Sequence, residues 1–336
     1  MIRSVGLAII STKPMLAGSI IIVSYNSEPC IEACLEALVR AQDWEVIVVD
    51  NASQDGTVEK ARRFAPAVAI LPNRENRGFA AAVNQGIKAA GTDICIILNP
   101  DAIAAADAAD KLAQILGSEQ VGAVGGMLAQ SGSPEIGFTV RRFPTLGSEL
   151  CEVLLLNRIW PSNPWNVHYR CLDLDYTLRQ EVDQPAGACL AVKRKAWEEL
   201  GGFDENFSPV WFEDVDFCRR LRDLGWKIFY CPEAVFLHLG GDSVKKLSFS
   251  DRQFHWYANL LRYFSKHHSS AEVMCLRVAL VAGLLLRSTL SCVGFRPDGI
   301  SLHEAIRAYG QTAWRCGWRG QGLHPKSKST AVSSVA

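Results

Sequence analysis

The 336-residue chain has no charge bias, with 35 lysines and arginines against 35 aspartates and glutamates. No overall field therefore draws it toward nucleic acid. Its eleven cysteines, at positions 30, 34, 95, 151, 171, 189, 218, 231, 275, 292 and 316, contain no Cys-x-x-Cys pair. That argues against zinc held through such pairs. Cys95 and Cys189 sit inside apolar runs and read as small core residues. An odd count without disulfide spacing points to a reducing cytosolic compartment. No Gly-x-Gly-x-x-Gly follows the first β-branched run, so a dinucleotide fingerprint is lacking. The apolar run Val5 to Ile10 is short for a signal-peptide core. Residues 1–18 read as a loose extension or as a start codon placed too early. In the most apolar region, Ala271 to Val293, Arg277 and Arg287 enclose only nine uncharged residues. A spanning helix needs roughly 18 or more.

What the chain does have is a repeated alternation. Ile20 to Ser24 reads as a strand, and Pro29 as the first position of a helix from about Cys30 to Ala41, with Ser27 or Glu28 near its cap. Val46–Val49, Val68–Leu71 and Ile94–Leu98 read as further strands, with helices ending near Phe64 and spanning Phe79 to Ala90. A helix from Asp107 to Leu116 and a strand from Val121 to Gly125 follow. Strand, polar turn and helix, four times over, predict a mostly parallel central sheet with helices on both faces. Such sheets bind ligands beyond the carboxyl ends of their strands. Three polar clusters lie at those ends: Ser24-Tyr25-Asn26, Asp50-Asn51 and Asn99-Pro100-Asp101.

From Met127 to Val182 the pattern loosens into an irregular, aromatic segment. Ala188–Val192 reads as a strand, Arg194–Leu200 as a short helix, and Lys227–Tyr230 and Ala234–Leu237 as two short strands, the second ending at His238. Ser250 to Lys266 is helical, with Phe254, Tyr257, Leu261 and Phe264 on one face. On a helix through 271–293, Arg277, Ser288 and Ser291 fall on one side. The pattern fits a helix lying at a membrane surface, and equally one packed on the domain or on a second subunit. The tail from Gly317 reads as disordered.

Between these parts stands Trp211-Phe212-Glu213-Asp214-Val215-Asp216, three carboxylates in four positions behind two large aromatics. Acids in a first helical turn face its positive end, so capping is one reading. A carboxylate beside an aromatic wall is also one way to build a general base.

The ordered set Ser24-Tyr25-Asn26, Val49 to Thr57, Asn76-Arg77-Gly78-Phe79-Ala80, Leu98-Asn99-Pro100-Asp101 and Gly187 to Asp214 resembles family 2 glycosyltransferases of the GT-A fold. The nearest likeness is to the rhamnosyltransferase-like bacterial branch that builds cell-wall and lipopolysaccharide glycans. It spans about residues 19–245, which implies a GT-A domain there, a helical C-terminal region over 246–316 and a flexible tail over 317–336.

The resemblance implies an inverting transferase. It would use a nucleotide-diphospho-sugar donor, best guessed as dTDP-rhamnose, a divalent cation (Mg²⁺ or Mn²⁺), and a glycan or polyprenyl-diphosphate-linked acceptor. It implies work in the cytoplasm, at the inner face of the cell membrane if 271–293 makes a peripheral contact. Asp50 would accept from the imide N–H of a uracil or thymine ring, with a turn cap as its other reading. Tyr25 would stack on that ring, and Ser24, Asn26 and Asn51 would line the ring or ribose side. Arg77 and Asn84 would face the phosphates. Asn99-Pro100-Asp101 stands where the family carries Asp-x-Asp, so Asn99 brings no charge and Asp101 becomes the main carboxylate on the metal, joined by His238. Asp214 would be the general base, Glu213 would orient acceptor or base, Trp211 would wall the acceptor subsite, and Asp216 would cap the helix.

Two alternatives stay open: a UDP donor carrying galactofuranose, glucose or galactose, and a non-catalytic nucleotide-sugar-binding homologue. A sugar nucleotidyltransferase is disfavoured, because Ser24 to Glu28 offers neither glycine nor a basic residue for a phosphate loop.

Overall fold

A computed structural model of the chain describes residues 17–40, 43–130, 132–240 and 247–319. The expectations for the first 16 residues and for the tail beyond residue 319 lie outside them. The first half alternates as the sequence predicts: β1 (Gly18–Ser24), α1 (Ile31–Leu38), β2 (Trp44–Asp50), α2 (Thr57–Arg62), β3 (Val68–Pro72), α3 (Phe79–Ala89) and β4 (Ile94–Leu98). Then come β5 (Ala102–Ala104), α4 (Ala108–Leu116) and β6 (Val121–Gln130). Helix α1 starts later than expected. Its N-cap is Cys30, with no side-chain cap, and Glu28 instead accepts from the Gly56 N–H.

The segment expected to be irregular is partly helical. It holds β7 (Ser133–Pro134), β8 (Val140–Arg141), α5 (Leu146–Val153), α6 (Leu156–Ile159), α7 (Pro164–Tyr169), β9 (Gln180–Glu181) and β10 (Gln184–Pro185). Local capping makes the short helices: Thr145 and Ser148 form a reciprocal capping box on α5, and Asn163 caps α7 with Pro164 at its first turn. Next are β11 (Cys189–Lys193), α8 (Arg194–Glu199), α9 (Glu213–Asp223) and β12 (Lys227–His238). The two strands expected within 227–237 are one, carried across Pro232 by a register shift between Cys231 and Val235. Proline cannot donate to the ladder, so the strand bulges there rather than stopping.

The main sheet runs β3-β2-β1-β4-β11-β6-β12-β5. Strands β3, β2, β1 and β4 are parallel, and β12 is parallel to β6, while β11 enters antiparallel between β4 and β6. Strands β8 and β10 form a separate antiparallel ribbon that pairs Arg141 with Gln184. The sheet buries apolar side chains on both faces, with Ile20, Ile22, Val46 and Val48 on one and Ile21, Ile47, Val49 and Ile97 on the other.

Three further helices, α10 (Phe249–His267), α11 (Ser270–Cys292) and α12 (Leu302–Thr312), close the chain with a π-helical turn at Ala313–Trp318. Tyr257, Leu261 and Phe264 of α10 share a third core with Phe207, Phe212 and Val215. The helical layer is thus packed onto the loop that leads into α9.

Candidate active site

The carboxyl ends of β1, β2 and β4 open on a cavity of about 480 Å³. Its wall includes Tyr25, Asn51 and Asn76, then Asn99, Asp101, Glu135 and His238, and also Trp211, Glu213, Asp214 and Trp256. Eight expected site residues therefore meet on one surface: Tyr25, Asn51, Asn99, Asp101, Trp211, Glu213, Asp214 and His238.

The other expectations fall elsewhere. Ser24 and Asp50 are buried side by side. Asp50 accepts from the Ser24 hydroxyl at 2.9 Å, the Ser53 hydroxyl at 2.5 Å and the Ser53 N–H at 3.0 Å, the geometry of a turn cap. Asn26 accepts from the Gln54 N–H. The Asn84 amide is taken up by Trp197, Phe203 and Glu205, so it braces α3 against the following loop and does not face the cavity. Arg77 reaches Gln85 and is not part of the cavity wall. A polar residue after a strand reads alike whether it faces a ligand or closes a turn, which is why these were not separable in sequence.

Asp101 and His238 come together because β5, next to Asp101, pairs with the end of β12, His238 opposite Ala102. His238 Nε2 lies 3.7 Å from Asp101 Oδ1. Its other ring nitrogen, Nδ1, is 2.7 Å from Glu135, and its ring stacks on Phe138. Asp101 Oδ1 is buried with no hydrogen-bond partner among the described residues. A buried, orphaned carboxylate oxygen is costly unless something charged or polar meets it. Among the described residues no group of three or more His, Cys, Asp and Glu side chains could hold a metal alone. The pair fits a cation that draws its remaining ligands from a bound phosphate and water, the usual habit of magnesium.

Asp214 is built into place. Its Oδ2 accepts from the Gly187 N–H at 2.8 Å and the Gln184 amide at 3.2 Å, and Oδ1 accepts from the Val215 N–H at 2.8 Å. A Cβ at Gly187 would stand 3.1 Å from Oδ2, so glycine lets the backbone approach. Burial pushes the Asp214 carboxyl up, with the Gly187 and Val215 N–H bonds partly restraining it. Glu213 is raised well above the usual range, first by burial and then by the charge of Asp214. Both carboxyls are thus pushed toward the neutral form, Glu213 the further. Trp211 and Phe212, just before them, are consecutive non-glycine residues at φ 78 and 71. Each such conformation costs on the order of 1–3 kcal/mol and persists only where packing enforces it. Trp256 of α10 does so, edge-on to both rings at 5.6 and 5.1 Å.

Asp216 does not cap the helix. Fully buried, it meets Arg220 at 2.7 Å, and Lys266 and His267 of α10 each at 2.8 Å. Burial alone would raise its carboxyl, but the bonds to His267, Arg220 and Lys266 outweigh that and hold it low.

Residues 19–201 match the model of the family described as "Glycosyl transferase family 2". The chain belongs to that family. It is 30% identical over 284 residues to the N-acetylglucosaminyl-diphospho-decaprenol L-rhamnosyltransferase of Mycobacterium tuberculosis, covering 81% of this chain and 91% of that protein. It is 27% identical over 219 residues to a PGL/p-HBAD biosynthesis glycosyltransferase of Mycobacterium bovis, covering 60% of this chain and 83% of that one. The fold is that of a mannosyltransferase from Pyrobaculum calidifontis solved with GDP-Man and Mn²⁺. The TM-score there is 0.54 at 20% identity, over 92% of this chain and 88% of that one. The protein is thus a rhamnosyltransferase-like family 2 enzyme with a GT-A domain.

The sequence reading passed over several cavity residues: Asn76, Glu135, Phe138, Arg141, Tyr169, Gln184 and Trp256. Asn76 stood inside a quoted motif. The others come from the segment without periodicity or from the C-terminal helices, where no local pattern marks them.

Proposed function

We propose that the enzyme transfers rhamnose from dTDP-rhamnose to a hydroxyl of a sugar carried on a polyprenyl diphosphate, with inversion. The observation that carries this reading is the meeting of Asp101 with His238, and of Glu213 with Asp214, on one cavity whose wall also holds Tyr25, Asn51 and Asn76. The M. tuberculosis relative, named for a diphospho-decaprenol acceptor and L-rhamnose, supports the choice of donor and acceptor.

Asp214, ionised, takes the proton of the acceptor hydroxyl. The acceptor oxygen bonds to the anomeric carbon as the bond from that carbon to the diphosphate breaks, and the nucleoside diphosphate leaves with the electron pair. Tyr25 stacks on the base, and Asn51 and Asn76 hold the ribose side. Glu213, protonated, offers its O–H to the acceptor or to Asp214. Asp101 and His238 would hold a divalent cation, whose charge would offset that of the diphosphate. The P. calidifontis enzyme, solved in complex with GDP-Man and Mn²⁺, is consistent with this. The helical layer keeps the enzyme at the membrane surface, where a lipid-linked acceptor resides.

Nucleotide release tests the reading. With Mg²⁺ or Mn²⁺ and a lipid-diphosphate sugar acceptor, dTDP-rhamnose should release nucleotide faster than UDP-galactose or UDP-glucose, and EDTA should stop it. Faster release from a UDP-sugar would replace the donor, and full activity in EDTA would remove the cation.

A further inference from the structure

The cavity wall is rich in carboxylates, with Asp101, Glu135, Glu213 and Asp214, yet it includes Arg141. Among the described lining residues Arg141 is the one lysine or arginine. Its place is fixed from several sides. Strand β8 sets it opposite Gln184 of β10, and Gln184 bonds Asp214. Its Nε donates to the Gly137 carbonyl at 2.8 Å, and its guanidinium lies 5.7 Å from the Tyr169 ring, also on the cavity wall. A second hydrogen bond goes to Tyr169, and of the five N–H donors of a guanidinium those two bonds leave the others to offer a ligand.

The carboxyl behind it does not cancel the charge. Glu149 is buried and raised to about 8, first by burial and then by Glu152. It therefore carries a proton at neutral pH while Arg141 keeps its charge.

We propose that Arg141 binds a diphosphate on the acceptor side of the cavity, the group that links the acceptor sugar to its lipid. Two diphosphates enter this reading, the donor's and the acceptor's. The donor's lies with Asp101 and His238. Arg141 stands beside the base, across the ribbon from Gln184, where the acceptor sugar must sit to give its proton to Asp214. Fork-shaped donors suit phosphate oxygens better than a point charge does. The inference rests on the transferase reading above and adds to it which acceptors are taken.

The test compares two acceptors bearing the same sugar, one on a lipid diphosphate and one on a neutral alkyl chain of similar length. For the unaltered enzyme kcat/KM should favour the diphosphate acceptor. In Arg141→Ala that preference should shrink by about 10- to 100-fold, the loss expected for hydrogen bonds to a charged group. Arg141→Lys should restore part of it, which a merely structural role would not. Binding of dTDP is measured alongside. A preference that Arg141→Ala leaves intact overturns the proposal, as does an equal loss of dTDP affinity, which would give the arginine to the donor. Absence of transfer to either acceptor by the unaltered enzyme would instead overturn the transferase reading on which it rests.

Discussion

Asp101 shows how a residue can be legible for its chemistry and not for its partners. The Asn-Pro-Asp turn after a buried strand marked it, and His238 at a late strand end was marked with it. What the sequence could not supply was Glu135, which orients His238 through Nδ1 at 2.7 Å. It lies in a stretch with no alternation, and only the pairing of β6 with β12 brings that stretch beside the metal candidates. Asp50 shows a second case: its chemistry suited a base contact as well as a turn cap, and three bonds from Ser24 and Ser53 give it the cap. Asp101 carries the metal part of the account. Asp101→Ala should weaken Mn²⁺-stimulated nucleotide binding at least roughly tenfold, since even outer-shell changes cost 10- to 100-fold in metal affinity. Titration of Mn²⁺ against binding of dTDP measures this, and an unchanged metal dependence would detach Asp101 from the ion.

At the scale of elements, the alternating half was readable because each strand is a β-branched run closed by a polar turn. The antiparallel entry of β11 was not readable, since pairing direction is set by tertiary packing rather than by local pattern. Helix α11 was read for its composition but not for its orientation. Arg277 was expected on one side with Ser288 and Ser291, and Arg277 and Arg287 together as the bounds of its uncharged core. In the structure they turn inward, Arg277 to the Gly317 carbonyl and Arg287 to the carbonyls of Glu152 and Val153. The outward stripe runs through Met274, Val278, Ala282, Leu285, Leu286 and Val293, without a charge. Trp314 and Trp318 are exposed on the adjoining turn, and Arg296, Arg307 and Arg319 are exposed near it. The helix is long and apolar enough to cross a membrane. Its inward bonds and its packing on α5 and α12 fit a helix lying in the surface plane instead.

An apolar stripe flanked by arginines and tryptophans suits an anionic lipid surface. Val278→Asp with Leu285→Asp should cut binding to vesicles containing phosphatidylglycerol by about 100-fold. Each Leu- or Val-sized side chain withdrawn from an apolar phase costs about 1.5–3 kcal/mol. Sedimentation with vesicles reads it. Vesicle binding unaffected by the pair, or a dimer dispersed by it while vesicle binding is nil, would assign the stripe to another partner.

At the scale of the whole molecule, the acidic start of α9 is held between two bodies of structure. On one side, Gln184 of the ribbon and Gly187, between the ribbon and β11, grip Asp214. On the other, Trp256 packs on Trp211 and Phe212, and Asp216 is locked to Lys266 and His267. Breaking a buried ion pair of this kind costs about 3–5 kcal/mol. The acidic cluster that looked like a helix start is thereby divided by the fold: Asp214 and Glu213 line the cavity, and Asp216 joins the helical layer to the domain. Sequence placed the cluster but could not divide it, because the division depends on Lys266 and His267, 50 and 51 residues further along the chain.

The central claim is that Asp214 takes the acceptor's proton. Because burial raises its carboxyl, kcat should fall as pH drops through a value above the ordinary carboxylate range, where Asp214 gains a proton and ceases to be a base. The most direct measurement is transfer by Asp214→Asn from dTDP-rhamnose at saturating acceptor, with dTDP binding followed in parallel. The account predicts a loss of about 10²- to 10⁴-fold in kcat, no acid limb in what remains, and dTDP affinity close to that of the unaltered enzyme. Turnover within a few-fold of the unaltered enzyme, with the acid limb still present, would contradict it.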